Sequence, residues 1–168
     1  MINDSLKIVE ESNIPLGQDT PTDDLIYIYK IANKLESLCL KEKGIGIAAV
    51  QAGIPKNIYL IQNDKNYECF VNCKYEGIGE KKTKSIEGCL SLKNSDGSFR
   101  HFEVERYNEI RIVGKALRHN IDPPLILEDI DMVLNGFTAI VHQHEIDHAQ
   151  GKMINHIGRE IELIGGKC

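Results

Sequence analysis

Two histidines near the end of the sequence have the spacing of metal ligands. His144 and His148 lie four residues apart in the pattern His-Glu-x-x-His, and on an α-helix both imidazoles project from one face. Glu145 follows directly, so its carboxylate is rotated from the pair by about one helical step of ~100°. It would lie beside a bound ion, where a general base for a metal-activated water belongs.

Two histidines at this spacing also occur on the solvent-exposed face of an ordinary helix. Three apolar residues precede the first histidine by seven, four and three positions: Phe137, Ile140 and Val141. They predict an apolar helical stripe that leads into the histidines. Such a stripe is usually core, but one that ends in two histidines and a glutamate can also form the wall of a pocket.

A catalytic tetrahedral site needs a third protein ligand and keeps one position for water. Five cysteines are available to supply it: Cys39, Cys69, Cys73, Cys89 and Cys168. Their odd number and irregular spacing favour free thiols in a reducing compartment. Cys69, Val71 and Cys73 are predicted to share one strand face as core rather than as a second metal site, because no partner pair follows. Cys39 is also predicted to be core.

Composition predicts a single domain over residues 1–168. A chain of 168 residues with 42% hydrophobic residues can bury one substantial core. It has no apolar run of about 20 residues and no signal-like N-terminus, so we expect a protein that is neither membrane-bound nor exported. The net charge of -5, without a basic run, argues against nucleic acid as a direct partner.

The pattern of apolar residues predicts an α+β fold. A helix is expected after Thr22, its predicted N-cap, because apolar residues then recur at spacings of three and four. Short strands are predicted at five places: 58–61, 69–71, 103–106, 110–113 and 125–128. The helix with the two histidines is expected to begin after Asp131, with Asn135 and Gly136 near its start, and to end at Gly151. This order favours antiparallel sheets packed around a central helix that carries the HExxH motif.

Two further segments have unusual compositions. Residues 44–51 read GIGIAAVQ, and their small side chains allow a backbone to lie against an extended ligand. Gln51 at the end is either a solvated strand end or an amide donor to a developing oxyanion. Residues 87–91 read EGCLS, in which Gly88 permits a close approach to Cys89. Glu87 stands in an otherwise buried setting, and Arg106 is its candidate partner.

Together, residues 44–51, 87–91 and 143–148 resemble the three motifs of peptide deformylases, in the same order. The resemblance extends from about Thr22 to Ile157. Members of that family remove the N-formyl group from the initiator methionine of newly made polypeptides and release formate. The resemblance implies that Cys89, His144 and His148 hold the metal.

The resemblance also implies roles for other residues. A metal-bound water would attack the formyl carbon, with Glu145 as general base and then general acid. The Gln51 side chain and the Leu90 backbone N–H would hold the oxyanion. The substrate peptide would pair as an extra strand along three residues: Ile45, Gly46 and Gly88. The methionine side chain would enter a pocket formed by four residues: Phe137, Ile140, Val141 and His144.

The cofactor and partners follow from the same resemblance. One divalent ion is expected per chain, natively Fe(II), with zinc, nickel or cobalt as acceptable substitutes for a site with a thiolate ligand. The substrates would be N-formyl-Met chains at the ribosome, in the cytoplasm, an organellar matrix or an infected cell. The chain also departs from the family, because Lys93 replaces the usual proline and residues 93–100 are predicted as an exposed loop.

Two other classes of protein share some of these features. A zincin-type metallopeptidase also contains His-Glu-x-x-His, and its third ligand would have to be Glu160 or Glu162. That interpretation leaves the segments at 44–51 and 87–91 without a role. A module with a purely structural metal needs four protein ligands, and the sequence indicates no fourth.

Overall fold

The computed structural model describes residues 6–64, 66–119 and 125–163. Within these ranges the chain forms three α-helices: α1 (Leu25–Lys41), α2 (Gly136–Ala149) and α3 (Ile154–Ile157). It also forms eight strands: β1 (Gly46–Ala48), β2 (Ile58–Asn63), β3 (Asn66–Gly77), β4 (Lys82–Lys93), β5 (Phe99–Tyr107), β6 (Glu109–His119), β7 (Leu125–Asn135) and β8 (Arg159–Ile161). None of the described helices is both long and apolar enough to cross a membrane.

The strands form two antiparallel sheets. The first sheet has the order β1-β2-β3-β6-β7, and the second has the order β4-β5-β8. Helix α2 contacts strands of both sheets, which confirms the predicted α+β class. Strands β1 and β4 are each at the edge of their sheet, so each has backbone groups available for another strand.

Helix α1 covers one face of the first sheet. The carboxylate of Asp24 accepts a hydrogen bond from the Tyr27 backbone N–H at 2.8 Å, so the helix begins at Leu25 with Asp24, not Thr22, as its cap. Its apolar stripe packs on β2 and β3. Cys39 lies on this stripe and is fully buried, as predicted for a core residue.

Helix α2 begins at Gly136 with Asn135 as its N-cap, in agreement with the prediction that these two residues lie near its start. Strand β7 continues to Asn135 because it pairs with β6 over its whole length, from His119–Leu125 to Glu109–Asn135. The chain turns from strand to helix at Gly136, which has a φ of 59°, a conformation that glycine adopts without strain. Tertiary pairing therefore extends the short strand predicted here.

The prediction that Cys69, Val71 and Cys73 share one strand face is also wrong. The β3–β6 register shifts between Val71 and Lys74, and Asn72 has a φ of 54°, which together form a β-bulge. Cys69 and Val71 pack toward α1, whereas Cys73 packs in the core beneath α2. The bulge reverses the alternation of side chains at that point.

Candidate metal centre

The tertiary structure brings one thiol of β4 to two imidazoles of α2. Each of the three residues offers one donor atom: Cys89 its Sγ, and His144 and His148 a ring nitrogen each. These three atoms lie within 4.8 Å of one another. Cys89 Sγ lies 3.5 Å from His148 Nε2. Among the described residues, these three form the one group of this kind; Cys168 lies outside the described residues.

The geometry and chemistry of these donors fit a divalent transition metal. In a tetrahedral site with metal–sulfur and metal–nitrogen bonds of about 2.3 and 2.0 Å, the sulfur and nitrogen atoms lie roughly 3.6 Å apart. The 3.5 Å between Cys89 Sγ and His148 Nε2 is close to this value. His144 donates from Nδ1 to Glu87 Oε2 at 2.8 Å, which leaves its Nε2 for an ion. The ligand assignment itself stays a prediction.

A buried ion-pair network supports this arrangement. Arg106 donates to both carboxylate oxygens of Glu87 at 2.8 and 2.9 Å and to Asp147 on α2. Burial alone would raise the pKa of Glu87, but Arg106 and His144 lower it to about 2. Burial likewise lowers the pKa of His144, whereas the neighbouring Cys89 and Glu87 raise it overall to about 10. The side chains of Cys89 and Glu87 therefore favour a positive charge beside the His144 ring.

Glu145 is a buried carboxyl with a raised pKa, next to His144. Its side chain is buried, and burial raises the pKa of the carboxyl to about 7. Within the described part of the chain, its Oε2 has no hydrogen-bond partner. Gly46 of β1 lies against the carboxylate, since a Cβ added there would be 2.5 Å from Glu145 Oε1. A carboxyl with a pKa near neutrality can both accept and return a proton.

Gln51 is held rigidly beside the thiol. Its Oε1 accepts a hydrogen bond from the Ala48 backbone N–H at 2.9 Å. Its Nε2 donates to Cys89 Sγ at 3.4 Å and to Ser91 Oγ at 3.2 Å. The side chain is buried, which rules out the alternative of a solvated strand end. The contribution of Ser91 was not predicted from the sequence.

A cleft of about 300 Å³ opens between the edge strands β1 and β4, with α2 as its floor. All six residues predicted to bind substrate line it: Ile45, Gly46, Gly88, Phe137, Ile140 and Val141. Gln51, Cys89, Leu90, His144 and Glu145 line it as well. His148 is buried behind the cleft. Phe137 is 69% exposed, so it forms the rim of the predicted methionine pocket rather than its interior.

Other lining residues were missed at the sequence level. Lys43, Ile86, Phe99 and His101 all face the cleft. Ile86 is two residues before Gly88 on the same strand, so strand periodicity could have indicated it. Phe99 could not be found in this way because it lies in the predicted loop at 93–100, and His101 lies between that loop and the predicted strand at 103–106. In the structure Phe99 pairs with Lys93, and His101 with Gly88.

The fold and the site define a class: α+β proteins in which a strand cysteine meets the two histidines of a His-Glu-x-x-His helix. The sequence model of one family, described as polypeptide deformylase, matches residues 17–161. This match covers most of the chain, which therefore belongs to the polypeptide deformylase family. The resemblance noted from the three motifs is confirmed.

Individual relatives agree with this assignment. Peptide deformylase 2 of Bacillus subtilis is 36% identical over 126 residues, covering 70% of this chain and 61% of that protein. Peptide deformylase of Aquifex aeolicus is 32% identical over 115 residues, covering 65% of this chain and 60% of that protein. The matched region thus spans about 60% of the length of both relatives.

A solved structure shows the same fold. The Met-Ala-Ser-bound crystal structure of class I type b peptide deformylase from Acinetobacter baumannii superimposes with a TM-score of 0.75. The two chains are 23% identical, and the match covers 92% of this chain and 99% of the other.

Proposed function

We propose that this protein removes the N-formyl group from the initiator methionine of newly made polypeptides and releases formate. The observation that carries the proposal is the meeting of Cys89, His144 and His148 beside Glu145 and Gln51, in a cleft between two strand edges. Membership of the polypeptide deformylase family supports it.

Cys89, His144 and His148 would hold the metal. The ion would act as a Lewis acid and lower the pKa of water in the site. We infer from the resemblance to the family that Fe(II) is the native ion. Zinc, nickel or cobalt would be functional substitutes, because one thiolate and two imidazoles suit all four. The Glu87 carboxylate orients His144 through the 2.8 Å hydrogen bond to Nδ1.

Glu145 would move the protons of the reaction. It takes one from the attacking water and gives one to the leaving amine, and its pKa of about 7 permits both steps near neutral pH. Gln51 Nε2 and the Leu90 backbone N–H would donate to the formyl oxygen as negative charge develops on it. The β4–β5 register is interrupted between Gly88 and Lys93, so Leu90 lies outside the regular ladder of its sheet.

The peptide would bind as a strand between β1 and β4. Both are edge strands that line the cleft, so the substrate backbone can hydrogen-bond along Ile45, Gly46 and Gly88. The methionine side chain would then rest on Ile140 and Val141.

We infer that the natural substrates are nascent chains at the ribosome, that the enzyme works in the cytoplasm or an equivalent compartment, and that nucleic acid is not bound directly.

The alternative classes have less support. Glu160, a candidate third ligand in a metallopeptidase, lies on β8 and pairs with Arg100 at 2.8 Å. A structural metal site would need a fourth protein ligand, and the group found within the described residues has three members.

The test compares the wild type with Glu145→Gln in metal content and in formate release from formyl-Met-Ala-Ser. We expect the wild type to hold one metal ion per chain and to release formate. The variant should keep the metal but lose at least about 100-fold in rate, in line with removal of a general base. Cleavage of internal peptide bonds, or a metal-loaded wild type that releases no formate, would refute the proposal.

A further inference from the structure

One ion pair joins the two walls of the cleft. Lys93, the last residue of β4, places its Nζ 2.7 Å from Glu42 Oε2. Glu42 is the C-cap of α1 and immediately precedes Lys43 and Gly44, which line the opposite wall. Among the ion pairs of the described ranges, this is the one that links β4 to the segment before β1.

The first wall is fixed to the first sheet. The Gly44 carbonyl accepts hydrogen bonds from Tyr67 Oη at 2.6 Å and from Cys39 Sγ at 3.3 Å. The two walls already touch here, because a Cβ added at Gly44 would lie 3.0 Å from Leu90 Cδ1. Movement of the first wall alone would break these bonds. Leu90 of β4 packs in the same core, so the part of the second wall that the ion pair can position is the end of β4 beyond Leu90.

The Lys93 side chain adds a contact to the second wall, beyond the hydrogen bonds that Cys89 and Ser91 accept from Gln51. The Lys93 ammonium also lies 5.2 Å from the centre of the Phe99 ring, within cation–π range. Phe99 lines the cleft and packs beside Gly88, where an added Cβ would be 3.5 Å from Phe99 Cβ. The Lys93 and Glu42 side chains are only 30% and 23% exposed, so water screens the pair less than it screens a fully exposed one.

We propose that Lys93 and Glu42 form a latch that sets the separation of the two walls, and with it the affinity for the peptide rather than the rate of bond breaking. Both are positioning residues, since they act through Phe99 and Gly44 and not on the reacting atoms. The inference rests on the proposed function.

The test uses Lys93→Met, Glu42→Gln and the reversed pair Lys93→Glu with Glu42→Lys. The substrate is formyl-Met-Ala-Ser with an amidated C-terminus, so that Lys93 has no substrate carboxylate to bind. Each single variant should raise KM about threefold with kcat unchanged, the size expected for a partly exposed ion pair. The reversed pair re-forms the ion pair but lacks the cation–π contact with Phe99, so it should return KM part of the way to the wild-type value.

Lys84→Met is the matched control. Lys84 is on the same strand and pairs with Glu103 at 3.1 Å, but neither residue lines the cleft. The KM of the Lys84→Met variant should equal that of the wild type. An unchanged KM in the single Lys93 and Glu42 variants, a fall in kcat instead, or no rescue by the reversed pair would overturn the latch.

Two measurements are independent of catalysis. In Lys93→Met, amide hydrogen exchange of residues 93–99 should be faster, and the product Met-Ala-Ser, also amidated at its C-terminus, should bind about threefold more weakly. If the wild type releases no formate, the proposed function fails, but these two measurements still decide on the latch. Unchanged exchange together with unchanged product affinity would refute it.

Discussion

Cys89 differs from the other described cysteines in what surrounds its sulfur. Cys39 donates to the backbone carbonyl of Gly44, and burial raises the pKa of the Cys39 thiol to about 11 and that of Cys69 to about 12. These environments keep both residues as neutral core thiols. Cys89 Sγ instead contacts an amide N–H and an imidazole, which are the polar neighbours expected around a metal ligand.

Removal of this thiol should therefore remove the metal. Cys89→Ala leaves two imidazoles without a third donor, so we expect metal content well below one ion per chain by elemental analysis. Cys69→Ala is the control, because it deletes a buried sulfur outside the site, and it should keep the metal. A Cys89→Ala protein that still holds one ion per chain would show that the third ligand is misassigned.

At the scale of elements, the bulge in β3 sets how β3 and β6 pack. Asn72 is held in its left-handed conformation by two hydrogen bonds with the backbone of Thr20, at 2.7 and 2.9 Å. The following residue, Cys73, lies against Gly114 of β6. A Cβ added at Gly114 would be 2.5 Å from Cys73 Sγ and 2.7 Å from Cys73 Cα, so the backbones approach too closely for a side chain.

Gly114→Ala should consequently destabilise the fold. Overpacking against a backbone atom costs about 1–3 kcal/mol in the free energy of unfolding, which urea denaturation would measure. Lys74→Ala, at an exposed position of the same strand, should change the stability by less than about 0.5 kcal/mol. Equal denaturation midpoints for the two variants would mean that β3 and β6 can move apart without lowering the free energy of unfolding.

At the scale of the whole molecule, one polar chain of contacts connects both sheets with the central helix. Tyr75 of the first sheet donates to Asp147 of α2 at 3.0 Å. Arg106 of the second sheet donates to the same aspartate and to Glu87. Glu87 in turn accepts from His144. Assembly of the two sheets on α2 therefore also orients a predicted metal ligand.

Arg106→Met should weaken this assembly strongly. It leaves the carboxylates of Glu87 and Asp147 buried without their cation, which typically costs about 3–5 kcal/mol. Chemical denaturation would measure the loss. Arg111→Met removes an arginine from a surface pair with Asp131 and should have a much smaller effect. Similar losses in the two variants would contradict a central role for the buried network.

Much of the site was predictable from local patterns. The spacing of His144 and His148 places both rings on one face of any helix, and the apolar stripe of α1 follows from its sequence periodicity. The choice of Cys89 over four other cysteines required the family resemblance, because no local pattern links a strand thiol to a helix 55 residues further along the chain.

The sequence by itself determined the helical face that carries the imidazoles and the carboxylate, since helix geometry depends only on neighbouring residues. Only the tertiary structure decided that Cys73 points away from Cys69, that β7 extends to Asn135, and that Phe99 lines the cleft. The face of a strand residue depends on register and bulges, and these are set by partners distant in the chain, such as Thr20 for Asn72.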